Sequence, residues 1–192
     1  MSELENHIKS YFGIDETDVV KIASYFQPIQ LKKGDFFLKS GHYSDRLAFV
    51  QSGVLREFVL MDEKEITKWI CTKGYFAVDL NSFIFGQPSR SNFQALTDCE
   101  MFVIDASNYA EIGAIIPKWL ELEKRFIAKC FGILESRILQ HLAMSAEERY
   151  QQLYQFNKEL FNIVPLQYLA SMLGITPETL SRLRRKDLDS IS

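Results

Sequence analysis

Two hydrophobic periods divide this chain. Between Ile29 and Ile104 the apolar residues come in short runs: Phe36-Phe37-Leu38, Leu47-Ala48-Phe49-Val50, the stretch Val54 to Leu60, the stretch Ile66 to Ile70, and Met101-Phe102-Val103-Ile104. From Pro117 onward they recur three and four residues apart, the spacing of one face of a helix. Strands gathered first and helices afterwards imply an α+β architecture rather than an alternating one. The runs are separated by turn-forming clusters, Lys33-Gly34-Asp35, Ser40-Gly41-His42, Gln51-Ser52-Gly53 and Met61-Asp62-Glu63-Lys64. Short strands so punctuated belong to a β-sandwich or β-roll, and a two-sheet β-roll with flanking helices fits best. Helices are also expected ahead of the roll, one over the first ten or so residues and a second opening at Asp15-Glu16 and ending before Pro28.

At 192 residues the chain has room for one medium domain and one small one. With 47% apolar residues and 15 phenylalanines it can bury a substantial core. The formal net charge of -3 argues against indiscriminate nucleic-acid binding. It leaves room for a local basic footprint, and Arg182, Arg184, Arg185 and Lys186 supply one. No apolar run approaches a membrane span and the start, Met-Ser-Glu-Leu-Glu-Asn, is too polar for a signal peptide, so a cytoplasmic setting without a membrane partner is expected. Cys71, Cys99 and Cys130 have no ligand-like spacing and are expected to be buried thiols in a reducing compartment. His7, His42 and His141 are scattered, so no metal site is expected. No Ser/His/Asp or Cys/His arrangement and no phosphate-binding glycine loop is legible, so the chain is not expected to be an enzyme.

The longest helical pattern runs from Pro117 to about Leu142. Leu120, Ile127, Phe131, Leu134, Ile138 and Leu142 form its apolar stripe, and Gly132 inside the stripe is a place for close approach of a partner helix or a local bend. Ser145 and Glu148 then form a capping box that opens another helix through Tyr150, Leu153, Tyr154 and Phe156. Near the end come two short helices around a turn. Leu166, Leu169, Ala170 and Leu173 make one apolar face, and Gly174 follows where a left-handed residue ends a helix. Thr176 is placed as an N-cap, with Pro177 at the first helical position and Glu178 in the first turn. The second helix buries Leu180 and Leu183 and carries Glu178, Ser181, Arg182 and Arg185 on its other face. That division is the one a helix-turn-helix needs, one side packing and the other free to reach base edges.

The run Leu169 to Arg182 resembles the DNA-binding helices of the catabolite-activator and anaerobic-regulator superfamily of bacterial transcription factors, the CRP/FNR family. Ahead of it, Leu31-Lys32-Lys33-Gly34-Asp35, Ser40-Gly41, Asp45 to Val50 and Ser52-Gly53-Val54-Leu55-Arg56 resemble the opening strands of a cyclic-nucleotide-binding domain. The resemblance implies a cyclic-nucleotide-binding-like double-stranded β-helix over residues 1–116, a dimerisation helix over 117–143 and a small all-α helix-turn-helix domain over 144–192. It implies a homodimer paired through Leu120, Ile127, Phe131, Leu134 and Ile138, with double-stranded DNA as partner and RNA polymerase as a further one. Glu178, Ser181 and Arg182 take the base-reading roles, and Thr176, Thr179, Arg184 and Arg185 are candidates for phosphate contacts. Pro177 stands where the activator branch has an arginine, so the expected half-site is TTGA-like. The tail after Arg185 is too short for the β-hairpin wing of some relatives.

The effector cassette departs from the family pattern. Asp79 falls at the position of the ribose-binding Glu, Val78 replaces the glycine before it, and Ser89 falls at the position of the phosphate-binding Arg. Arg90 comes one residue late. Asp79, Leu80, Ser89, Arg90 and Ser91 are the pocket candidates, but cyclic AMP is not the expected ligand. A different small anionic effector that uses Arg90, or none, suits these residues better, and no cofactor is indicated. An iron–sulfur sensor is not expected without a cysteine cluster. The competing assignment is a ligand-binding regulatory module whose helical tail docks a protein instead of DNA.

Overall fold

A computed structural model describes residues 2–191, with side chains described as far as residue 187. Two helices open the chain, α1 (Glu3–Phe12) and α2 (Glu16–Ala23). Six strands follow: β1 (Gln27–Leu31), β2 (Phe36–Leu38), β3 (Arg46–Ser52), β4 (Leu55–Met61), β5 (Lys64–Cys71) and β6 (Phe76–Ala77). A short helix, α3 (Leu80–Phe85), separates these from β7 (Asn92–Ala95) and β8 (Cys99–Asp105). The rest is helical: α4 (Ala106–Ile115), α5 (Trp119–Ala143), α6 (Ala146–Phe156), α7 (Leu160–Ile163), α8 (Leu166–Leu173) and α9 (Pro177–Ile191).

The strands form two four-stranded antiparallel sheets, in the orders β1-β8-β3-β6 and β2-β7-β4-β5. Successive strands alternate between the two sheets except at the β4–β5 hairpin, which is the roll expected from the turn pattern. The β4–β5 hairpin has Asp62 at φ 47° and Glu63 at φ 64°, the paired left-handed residues of a two-residue turn that matches strand twist. Gly53 needs its φ of +89° and its missing side chain, because a Cβ there would stand 2.3 Å from the carbonyl oxygen of Asp98.

The helical starts follow their caps. Ser2 and Ser145 each form a complete capping box, with Glu5 and Glu148 respectively. Three apolar clusters result. One joins α1, α2, α4 and the start of α5 to Leu47, Phe49 and Ile104 of the roll. A second fills the space between the sheets around Val50, Leu55, Phe93 and Met101. The third packs the C-terminal helices around Tyr150, Leu169, Leu173 and Leu180, and it includes Val54 and Ile70 of the roll. Cys71 and Cys99 are buried, as expected, whereas Cys130 is only half-buried.

Several details depart from the pattern reading. Phe156, expected on the apolar face of its helix, is 73% exposed. It lies in the last turn of α6, where no further element covers it. The roll also contains β1, β6 and β7, too short or too polar to stand out as apolar runs, and α4 and α7 were not legible. The residues after Arg185 continue α9 as helix to Ile191. Among the described residues no helix is long and apolar enough to cross a membrane.

Candidate nucleic-acid interface and effector cassette

α8 ends at Gly174, whose φ of +67° turns the chain, and the Ile175 N–H donates back to the Ala170 carbonyl at 3.0 Å. α9 then starts on Thr176, whose hydroxyl accepts from the Thr179 N–H at 3.2 Å. Leu180 is fully buried and Leu183 half-buried, so one face of α9 faces α8 and α6. The opposite face presents Glu178, Arg182 and Arg185 to solvent with Ser181 half-exposed among them. Arg182 Nη2 donates to the Thr179 hydroxyl at 3.2 Å, and that hydroxyl lies 3.2 Å from the one on Thr176. The Glu178 carboxyl is held below the usual carboxylate range, first by its own backbone N–H, then by the Thr176 hydroxyl and the charge of Arg182. It therefore stays an acceptor at neutral pH.

The basic footprint is narrower than the sequence suggests. Arg184 turns away from this face and lies over the Phe161 ring, 5.8 Å from its centroid. Lys186 is paired with Glu147 of α6 at 2.6 Å. Arg182 and Arg185 remain as exposed cations beside the base-reading positions. The difference is geometric: residues two apart on a helix point about 200° away from each other, so Arg182 and Arg184 cannot share a face.

A polar joint fastens α8 to the roll. The Thr67 N–H donates to Ser171 Oγ at 2.9 Å. Arg56 of β4, with none of its side chain exposed, donates to Thr67 Oγ1 at 3.0 Å and pairs with Glu65 at 2.5 Å. Its guanidinium lies 3.7 Å from the ring centroid of Tyr168 in α8 and 4.2 Å from that of Phe58. Its Nη2 is buried without a partner. At the far end of α8, Arg137 of α5 donates to the Lys68 and Met172 carbonyls, and Arg149 of α6 donates to the Leu173 carbonyl at 3.0 Å. Two cations thus sit on the carbonyl end of α8, where a helix dipole favours them. None of these contacts was legible in the sequence, because most of them join residues on different elements.

The cassette is closed on itself. Asp79 is the N-cap of α3, accepting from the Ser82 N–H at 3.0 Å through one oxygen and from the Ser89 hydroxyl at 2.6 Å through the other. Ser91 donates its hydroxyl to Glu57 at 2.9 Å, and its N–H donates to Ser89 Oγ at 3.0 Å. Lys68 donates to the same Ser91 hydroxyl at 2.9 Å and pairs with Glu57. Leu80 is half-buried at the start of α3. Ser89 is buried and Arg90 exposed, so the one-residue displacement puts the arginine outside while a serine takes the inner position. The structure therefore brings Asp79, Ser89 and Ser91 together and leaves Arg90 apart.

The α5 stripe is uncovered. Leu120 is 70%, Phe131 67%, Leu134 53%, Ile138 60% and Ile127 42% exposed. Gly132, expected inside the stripe, is half-buried, and an added Cβ there would meet nothing within 4 Å, so no contact within the same chain requires a glycine.

Comparison with known proteins agrees with this fold. Residues 28–114 match the family model of the cyclic nucleotide-binding domain. No curated protein matches the chain. Among solved structures, CLP, a c-di-GMP responsive global regulator of Xanthomonas campestris, aligns with a TM-score of 0.69 at 14% identity, over 92% of this chain and 93% of that one. FixK2 from Bradyrhizobium japonicum aligns with a TM-score of 0.68 at 16% identity, over 84% of this chain and 83% of its own. The Thermus thermophilus catabolite activator protein aligns with a TM-score of 0.60 at 19% identity, over 96% and 87%. At such identities the likeness is one of fold: the first part of the chain is similar to a cyclic nucleotide-binding domain, and most of its length shares the architecture of these solved structures.

Proposed function

We propose that the chain is a sequence-specific, DNA-binding transcription regulator of the CRP/FNR type that acts as a homodimer. The observation that carries this reading is α9: a helix capped by Thr176, packed through Leu180, with Glu178, Ser181 and Arg182 together on its open face. Glu178 can accept from a cytosine amino group, and Arg182 can donate two bonds to guanine O6 and N7 once it leaves Thr179. Thr176, Thr179 and Arg185 are the candidates for phosphate contacts, and Arg184, which lies over Phe161, is left out of that set. Residues 1–116 serve as the sensor domain, 117–143 as the dimerisation helix and 144–192 as the DNA-binding domain. The exposed α5 stripe is a suitable pairing surface, since a two-fold axis through it would bury five large apolar side chains per chain. The internal Asp79–Ser89 bond supports control by something other than cyclic AMP, because the two positions at which the family binds that ligand satisfy each other.

The test is selection from a random duplex library without added effector. Enrichment of a TTGA-like inverted repeat, with half-site centres about two helical turns apart, is expected. Arg182→Ala should then lower affinity for that site by roughly 5- to 150-fold per guanine contact and relax preference at the guanine. Full retention of the guanine preference would remove Arg182 from its assigned role. No enrichment, with or without cyclic nucleotides, would favour a regulatory module whose helical tail docks a protein.

A further inference from the structure

A cleft of about 570 Å³ lies between β5, α5, α6 and α8, on the opposite side of α5 from the exposed stripe. Lys129, Ile133, Ser136 and Gln140 line it from α5. Their spacing of three and four places them on one face, about half a turn from Ile127, Phe131, Leu134 and Ile138. The face toward the cleft continues that of Leu122 and Phe126, which are buried against the roll. The cleft begins where the roll stops covering this face and α8 has not yet reached it. Pairing of two chains through the stripe would leave it unfilled.

Its chemistry is mixed in one particular way. Trp69 and Tyr75 of the roll, Tyr11 of α1, and Leu153 and Phe156 of α6 supply aromatic and aliphatic walls. Lys129, Arg137 and Arg149 supply cations. None of the three has a carboxylate at ion-pair distance among the described residues. Arg137 stacks on Trp69 with its guanidinium 4.8 Å from the ring centroid and donates to backbone carbonyls, and Lys129 lies 4.2 Å from the Tyr11 ring centroid. Arg149 likewise donates to the Leu173 and Met144 carbonyls. Glu57, the acid whose charge reaches Arg137, is already paired with Lys68. The carbonyl end of α8 offers only about half a negative charge. Arg137 and Arg149 are half-buried and Lys129 is exposed, and with no carboxylate at ion-pair distance the half-apolar space carries a net positive charge that an anion would complement.

We propose that this cleft is a binding site for an amphipathic organic anion, an aromatic carboxylate or sulfonate, with its ring against Trp69 and its acid group at Lys129 and Arg137. A volume near 570 Å³ suits a small organic molecule. The ligand would touch the roll, α5 and the end of α8 at once, and so would bear on how the C-terminal helices are held. The site is separate from the Asp79–Ser91 cassette, and the proposal does not rest on the protein's binding DNA.

The probe is 8-anilinonaphthalene-1-sulfonate, titrated by fluorescence into the full chain. Saturable binding of one probe per chain is expected. Gly132→Leu should weaken it by roughly tenfold or more, since Gly132 lines the cleft, an added Cβ there meets nothing within 4 Å, and a leucine favours helix. Ser136→Trp should do the same from an exposed position. Lys129→Met should weaken it about fivefold, and the neutral N-phenyl-1-naphthylamine should bind more weakly than the sulfonate by a similar factor. Lys124→Met, an exposed cation of α5 outside the cleft, should leave the affinity unchanged. Far-UV circular dichroism and a thermal melt on each variant establish that it is folded. Absence of saturable binding overturns the proposal. So does wild-type affinity in both folded cleft variants or in Lys129→Met, loss of binding in Lys124→Met, or equal affinity for the neutral probe.

Discussion

The joint between the roll and α8 can be weighed with a double-mutant cycle on Arg56 and Tyr168. Arg56 is wholly buried, and its guanidinium stands 3.7 Å from the centre of the Tyr168 ring. A cation over a ring at a desolvated site is worth about 2 kcal/mol, against about 0.5–1 at an exposed one. Arg56→Met keeps most of the stem, so little cavity is added, while the bonds to Thr67 and Glu65 are lost. Each charge-assisted bond stabilises by about 1.5–3 kcal/mol. Removing a buried cation whose Nη2 has no partner returns part of that. Glu65 is 44% exposed and can take up water once its partner is gone. The single substitution should therefore destabilise by only about 1–3 kcal/mol. Tyr168→Leu removes the ring and keeps the apolar contact with the C-terminal cluster. Urea unfolding of the wild type, both single variants and the double variant gives the coupling, expected at about 1.5–2 kcal/mol. A coupling below about 0.5 kcal/mol, the range for independent sites, would mean that the ring is not on the guanidinium in solution and that α8 is not docked as described.

Phe131→Glu and Leu134→Glu each place a charge in the middle of the exposed α5 stripe, and light scattering is expected to show monomers where the wild type shows dimers. Gly53→Ala forces a Cβ against the Asp98 carbonyl at a φ of +89°, and should destabilise by about 1–3 kcal/mol or more in a thermal melt. Acid should destabilise the fold through carboxylates whose folded pKa lies below the unfolded one. Asp98 is lowered by the Lys33 N–H and then Lys32, Asp105 by the Asn108 N–H, and Glu148 by the Ser145 N–H. Their contribution is complete above the ordinary carboxylate range and is lost as pH falls through the lowered values. Melting temperature should accordingly drop below about pH 4, and Asp98→Asn should flatten that drop.

Much of the outline was legible because local rules govern it. Capping boxes at Ser2 and Ser145, the left-handed Gly174 and the Thr176-Pro177 start set helix ends through contacts within four residues. The turn clusters marked β2 to β5 for the same reason. Strand β7 was missed because Asn92 and Gln94 break its apolar run, and its place in the sheet comes from register with β4. Arg90, a pocket candidate by sequence, lies exposed in a bend while Ser89 is buried, because the loop ahead of β7 turns the arginine outward. That Asp79 and Ser89 bond to each other was not visible, since it needs the loop after α3 to fold back across ten residues.

The sequence by itself therefore determined the α+β order, the helix caps, the exposed stripe of α5 and the division of α9 into a packed and an open face. Each rests on residues a few positions apart, where helix and turn geometry leave little choice. Only the tertiary structure decided which cations remain free. Arg56 was drawn into the core, Arg184 onto Phe161, Lys186 onto Glu147, and Arg137 and Arg149 onto the end of α8. A long basic side chain takes whatever acceptor or ring its surroundings bring within reach, and those surroundings come from segments distant in sequence.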